Sequence, residues 1–337
     1  MTKERRTTIS DIANKSGYSK TAVSFAFNAP NRISAQAVKR ILEVAKELNY
    51  SPDPLARNLS LGRHRAIGLL LPQSASSSLR NSHTQDIVRG AAEVAEKEGY
   101  LLTLIPPLNA SIPEAVRNAT VDGLITLGLV IDSEIHQALE TRKLPVVSID
   151  GADGDSIPTV SIDNEAAAKL QLEQVLKAGH RRIAIVSLPA TAFRTGPSGT
   201  AESRLKGYSE ALEEYGLSLD EMTVITTPST FEDGKEALTE ILPSAPTCIV
   251  AMSDEVAHGL MAAAHENGLS IPRDFSVVGF DGIDPAWTAA LATVVQDGAE
   301  KGRKAAETLF SLLDGRPYEN KISIPFSFRQ ADSLRCL

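Results

Sequence analysis

The 337-residue chain has two cysteines, Cys248 and Cys336, too few for a disulfide framework or a zinc site. Aromatic residues make up only 5%, with Trp287 the single tryptophan. No apolar run approaches the roughly 18 residues needed to span a bilayer, so no membrane partner is expected. There is no repeat of roughly 20–50 residues and no low-complexity tract. The common catalytic signatures are also missing. The chain has no G-x-S-x-G, no G-x-x-x-x-G-K, no G-x-G-x-x-G and no H-E-x-x-H. Its six histidines are scattered, and His180 in GHRRIA reads as the start of a strand rather than a base. The expectation is a protein that is not an enzyme and has no cofactor or metal. The stretch MTKERRTTIS is basic but lacks the apolar core of a signal peptide, which points to a cytoplasmic location.

The charge is unevenly spread. The whole chain carries 34 Lys+Arg and 42 Asp+Glu, a net of −8. Residues 1–63 hold eleven of the basic residues and five of the acidic ones, a net of +6, which leaves −14 for the rest. A basic head on an acidic body suggests that the head alone meets a polyanion. A solvated charged surface would give the same count.

The head reads as three helices. Ser10 can cap a first helix that buries Ile12 and Ala13, with Gly17 ending it in the left-handed region. Ser19 can cap a second, Lys20 to Phe27, with an apolar stripe of Ala22, Val23, Ala26 and Phe27. Ser34 can cap a third, in which Val38, Ile41, Leu42, Ala45 and Leu48 recur at helical spacing. Pro52 and Pro54 then stop it, and Leu55, Ala56 and Leu59 share one face of a short helix that is marginal alone.

After Arg65 the pattern changes. Runs such as AIGLLLP, VDGLITLGL, LPVVSID, RRIAIVSL, TCIVAM and FSVVGFD alternate with helical stretches. Alternating strands and helices mean an α/β body with parallel sheets, and so many units suggest two lobes.

Ala13, Gly17 and Val23 supply a small contact residue, a turn residue and a buried aliphatic at spacings of four and six. That is the requirement of a helix-turn-helix, whose second helix enters the major groove. Lys20 suits guanine acceptors and Thr21 a thymine methyl. A helical hairpin serving as an assembly cap has the same spacing.

The residues TTISDIANKSGYSKTAVSFAFN, then ISAQAVKRILEVAKELNYSPDPLARNLSLGR, resemble the headpiece and hinge of the lactose-repressor (LacI/GalR) family of bacterial transcription regulators. The likeness continues through VDGLI, VSIDN, GHRRIAIV, RLKGYSEAL and IPRDFSVVGFD to Gln296. The resemblance implies a helix-turn-helix head (1–51), a hinge (52–63) and a periplasmic-binding-protein-like effector and dimerisation domain (64–337). The N-lobe would comprise about 64–162 plus 296–321, and the C-lobe about 163–295 plus 322–334.

It implies that Lys20 and Thr21 read bases, and that Ser19, Ser24, Asn28 and Ser34 contact phosphates or orient the helix. Leu59, beside the small Ala56, would wedge into a base step from the minor groove, which kinks the duplex. Ser10 and Arg57 complete the candidate DNA contacts. Phe25 departs from the family's usual Arg, and Asp53 from its Asn. In the cleft between the lobes, the resemblance places Asp150, Arg204, Ser253, Asp254 and Asp281, with Phe231 as an aromatic platform. Trp287, beyond GFDG, can line the cleft or pack in the core, and Arg194 can reach the ligand or decorate a loop.

The expectation is therefore a repressor, responsive to a sugar or sugar derivative, that binds a pseudo-palindromic double-stranded DNA operator. No Leu heptad follows the final strand, so a homodimer is expected. A purine or nucleoside effector, or a non-regulatory sugar-binding module, are the alternatives.

Overall fold

The computed structural model describes residues 7–51, 62–151, 156–188, 199–283 and 290–337. The chain divides into two units, Met1–His64 and Arg65–Leu337.

In the first unit α1 spans Ile9–Ser16, α2 Lys20–Asn28 and α3 Ala35–Glu47. The N-cap of α1 is Thr8, so Ser10 lies inside the helix and does not cap it. The reason is local: Asp11, three residues on, lets Thr8 and Asp11 each accept from the other's backbone, a reciprocal cap that Ser10 cannot form. Gly17 ends α1 at φ 77°, in the left-handed region that favours glycine. Ser19 and Ser34 cap α2 and α3 as expected, accepting from the backbones of Ala22 and Ala37. Ile12, Val23, Ile41 and Val44 are fully buried and form the small core. Leu42, expected on the apolar stripe of α3, is 42% exposed, and Val44 takes the inward position.

The second unit has two sheets of six strands each among the described residues. In the N-lobe the strands are β1 (Ala66–Leu70), β2 (Leu101–Ile105), β3 (Gly123–Leu127), β4 (Val146–Ile149), β5 (Thr159–Ser161) and β11 (Lys321–Ser323), in the order β11-β5-β4-β3-β1-β2. In the C-lobe they are β6 (Ile183–Ser187), β7 (Thr223–Thr226), β8 (Cys248–Ala251), β9 (Ser276–Asp281), β10 (Ala292–Gln296) and β12 (Phe326–Arg329), in the order β12-β10-β9-β8-β6-β7. Every neighbouring pair is parallel except β10 with β12. Counted from the far edge, each sheet repeats one order, 2-1-3-4-5 and 7-6-8-9-10. The central strands β1, β3, β6, β8 and β9 are buried along their whole length. That explains their unbroken apolar runs, because helices cover both faces of a parallel sheet.

The body helices are α4 (Ala75–Ser78), α5 (Ser82–Lys97), α6 (Ile112–Asn118), α7 (Ser133–Arg142), α8 (Asn164–Lys177), α9 (Gly199–Glu213), α10 (Phe231–Ile241), α11 (Asp254–Glu266) and α12 (Gly298–Asp314). The chain crosses between lobes three times: from β5 to α8, from β10 to α12, and from β11 to β12. Lys321–Ser323 pairs with β5, which places β11 in the N-lobe sheet.

Candidate functional site

In the head, Ser19, Lys20 and Thr21 are exposed at the first turn of α2, and Ser24 and Asn28 follow one and two turns later. That spacing puts Lys20, Thr21, Ser24 and Asn28 on one face of the helix. Asn28 Nδ2 donates to Ser24 Oγ at 3.4 Å, which links the last two. Phe25, on the same face, carries the Arg32 guanidinium 5.5 Å from its ring centroid. A cation thus remains at this edge of α2, held from a different position. Ala56, Arg57 and Leu59 lie outside the described residues, as do Asp53, Arg194 and Trp287.

In the body, the carboxyl ends of β1, β3, β4, β8, β9 and β10 converge on a cavity of about 180 Å³ between the lobes. Open parallel sheets place ligands at such strand ends. Two of the lining residues stand at equivalent points of the two lobes: VVSIDG brings Asp150 off β4, and VVGFDG brings Asp281 to the end of β9. Both have positive φ, 52° at Asp150 and 133° at Asp281, a strained conformation for a residue with a side chain.

A buried chain of polar groups joins the two aspartates. Lys301 of α12, with no exposed surface, donates from Nζ to Asp150 Oδ2 at 2.5 Å and to Gln296 Oε1 at 2.6 Å. Gln296 Nε2 donates to Asp281 Oδ1 at 2.8 Å. Burial alone would raise the Asp150 carboxyl, but the Lys301 ammonium holds it below the usual carboxylate range. Burial pushes Asp281 above that range, with Asp254 adding to the rise.

Arg204, 3% exposed, is fixed on three sides. Its Nε donates to Asn164 Oδ1 at 3.0 Å and its Nη1 to the Met252 carbonyl at 2.6 Å, and its guanidinium carbon sits 3.5 Å from the Phe280 ring centroid. Ser82 and Glu255 tie the lobes together at the edge of the cleft, through Ser82 Oγ to Glu255 Oε1 at 2.7 Å. Thr200 Oγ1 adds a second tie to the Asp150 carbonyl at 3.0 Å.

Among the described residues, four that line the cavity each carry a buried side-chain atom without a hydrogen-bond partner: Ser78 Oγ, His83 Nε2, Asp150 Oδ1 and Ser253 Oγ. Each such group costs free energy unless something pairs with it. The wall offers both donors and acceptors, from both lobes, to one small occupant.

Among the expected effector residues, Asp150, Arg204, Ser253 and Asp281 line this cavity, whereas Asp254 and Phe231 do not. The Asp254 carboxylate is occupied within the fold. It accepts from the backbones of Gly282 (2.8 Å) and Ile283 (2.9 Å) and from Thr293 Oγ1 (2.6 Å), and burial pushes its pKa up to about 6. It fastens the turn that follows Asp281. Phe231 opens α10 with 37% exposure, and the preceding Ser229 and Thr230 face the cavity instead.

Sequence reasoning missed Lys301 and His83 and gave Gln296 no role. For Lys301 a signal existed: it lies on a stripe of small residues, Gly298, Gly302 and Ala305, that α12 buries. His83 carried no pattern. His180 is structural: its Nδ1 meets Thr247 Oγ1 and its Nε2 the Arg335 carbonyl, each at 3.0 Å. Among the described residues no group of His, Cys, Asp or Glu could hold a metal ion, and no helix is long and apolar enough to cross a membrane.

Comparison with known proteins bears on both sites. A family model for bacterial regulatory proteins of the lacI family matches residues 8–53. A second, for periplasmic binding proteins and the sugar binding domain of the LacI family, matches residues 64–332. The chain is 31% identical to the HTH-type transcriptional regulator IpsA of Corynebacterium glutamicum, over 98% of both proteins. It is 30% identical to the HTH-type transcriptional repressor CytR of Escherichia coli, over 93% of this chain and 92% of that one. A crystal structure of a LacI family transcriptional regulator from Enterococcus faecium with bound ribose aligns with a TM-score of 0.70 at 25% identity, covering 81% of this chain and 99% of that one. With the head and body each matched along nearly their full length, the chain belongs to the LacI family and is a DNA-binding transcriptional regulator, not an enzyme.

Proposed function

We propose that the protein is a cytoplasmic repressor that binds a pseudo-palindromic operator as a homodimer and responds to a sugar or sugar derivative held between its lobes. In this reading Lys20 and Thr21 read base edges in the major groove, and Ser10, Ser19, Ser24, Asn28 and Ser34 contact or orient toward phosphates. Ala56, Arg57 and Leu59 act from the hinge in the minor groove. Effector in the cleft shifts the balance between two arrangements of the lobes, and through the hinge the affinity for DNA.

The observation that carries the effector half is the set of unpaired buried polar atoms at Ser78, His83, Asp150 and Ser253, in a cavity that Asp281 and Arg204 also line. Hydroxyl groups, which both donate and accept, match that mixture. The ribose in the related Enterococcus faecium structure supports the same class. Phe231, an aromatic platform that would suit a sugar and a nucleoside alike, does not line the cavity and so favours neither.

A thermal-shift screen of sugars, polyols and nucleosides tests the effector, since a cleft ligand raises the unfolding midpoint by mass action. Operator binding by Lys20→Ala tests the head. A loss of about 1–3 kcal/mol with relaxed preference at one position per half-site is expected, whereas an equal loss on all DNA would make Lys20 a phosphate contact. Light scattering that returns a monomer or tetramer at micromolar concentration contradicts the dimer.

A further inference from the structure

We infer that His83 contacts the effector, its Nε2 pairing with a hydroxyl of an uncharged polyol seated against Asp150, and that this contact makes effector affinity depend on pH. The inference deepens the reading of the cleft as an effector site and rests on it.

The argument begins with a contrast between histidines. His180 is enclosed by the fold and both of its nitrogens have protein partners. His83 lies on the cavity wall with a sealed Nε2 that has none. A buried nitrogen without a protein partner, on a residue that lines a cavity, is a site for something that arrives. His258 also has an unpaired Nε2, but it does not line the cavity. Gly298 at the start of α12 makes the room for the ring, since a side-chain carbon there would come within 2.9 Å of His83 Nδ1 and 3.1 Å of Asp86 Cβ.

The charges around the imidazole define the ligand class. It faces Asp281 at the end of β9, Asp150 after β4, Lys301 of α12 and Arg204 of α9, with Asp86 on its own helix. Both cations already have work in the fold. Lys301 holds Asp150 and Gln296, and Arg204 uses two nitrogens on Asn164 and Met252 and lies on the Phe280 ring. The open valences on this wall are a carboxylate oxygen, two hydroxyls and an imidazole nitrogen. A phosphate or carboxylate would meet Asp150 Oδ1 head-on, whereas neighbouring hydroxyls can donate to Asp150 and exchange a hydrogen bond with His83. Burial keeps the imidazole below its ordinary range, and Asp281 and Asp150 pull the other way. Covering the ring with ligand strengthens that preference for the neutral form, so protonation of His83 opposes binding.

The test is calorimetric titration of the full-length protein with D-ribose, D-glucose and myo-inositol, and with D-ribose 5-phosphate and adenosine as counter-probes. At least one neutral polyol should bind. His83→Ala should weaken it by roughly ten- to a hundredfold, the cost of leaving a buried partner unpaired, without moving the ligand-free unfolding midpoint. His83→Gln, whose amide can reach the place of Nε2, should bind within a few fold of wild type. It should also show a shallower loss of affinity as pH falls below about 6.5, since burial keeps the imidazole below its ordinary value. If His83→Ala binds like wild type, or His83→Gln keeps the full slope, the inference is wrong. Loss of binding in Asp281→Ala would then still uphold the cleft as the effector site. Binding only of the phosphate or the nucleoside, or of no probe at all, overturns the uncharged-polyol assignment.

Discussion

The two lobes carry the same device and use it differently. VVSIDG and VVGFDG each end a buried strand on an aspartate with positive φ, at the same position in sheets of the same strand order. In the N-lobe the aspartate has an ammonium at 2.5 Å and stays ionised below the ordinary range. In the C-lobe its partner is a neutral amide, and burial holds its carboxyl above that range. Equivalent backbone therefore yields a fixed anion on one side of the cleft and a proton-responsive one on the other. The difference comes from Lys301, supplied by α12, which follows the second crossing between lobes.

The largest effect should come from removing that lysine. Lys301→Met leaves Asp150 charged, buried and alone, and breaking a buried pair from one side costs about 3–5 kcal/mol. Chemical denaturation should show this, and a loss below about 1 kcal/mol would mean that Asp150 is not the anchored member.

Next in size are Asp281→Ala and Arg204→Ala. Each should weaken effector by about 1–3 kcal/mol through an unpaired buried group, with operator affinity in the absence of effector unchanged. A normal effector response in either variant would assign that residue to the fold and not to the site.

The smallest effect is also the sharpest test of the contrast. A carboxyl with a lowered folded pKa adds stability above the unfolded value of roughly 4 and loses it as pH falls through the folded value. One with a raised pKa contributes fully below roughly 4 and loses that contribution as pH rises through the folded value. Between about pH 2 and 7, relative to wild type, Asp150→Asn should therefore become less stable as pH rises to about 4, and Asp281→Asn more stable as pH rises above about 4. Unfolding midpoints across that range measure both, and slopes of the same sign would break the comparison.

Much of this was legible before any coordinates. Helix caps at Ser19 and Ser34, the turn at Gly17 and the alternating apolar runs are local signals, and local signals fix local structure. Asp150, Arg204, Ser253 and Asp281 were likewise placed in the cleft by family resemblance. The failures have another origin. Asp254 and Asp281 look alike in sequence, each following the buried apolar run of a strand. Only the fold reveals that one is consumed by the backbone of Gly282 and Ile283 while the other faces open space. Lys301 in GAEKGRKAAE lies on a stripe of small residues that marks it as buried, but its partners at positions 150 and 296 are beyond any local pattern. His83 is recognisable only by an unfilled valence, which no spacing encodes.

The three crossings between lobes also bear on the protein's synthesis. The N-lobe lacks α12 and β11 until the ribosome has finished most of the C-lobe, and the C-lobe waits in turn for β12. Through that interval the outer edge of β5 has no neighbouring strand, and an open edge invites wrong pairings. A chain halted before residue 298 has the early strands, Asp150 and His83, but neither a complete first sheet nor Lys301. Interrupted translation products therefore contain most of the sensor's residues and cannot assemble the sensor.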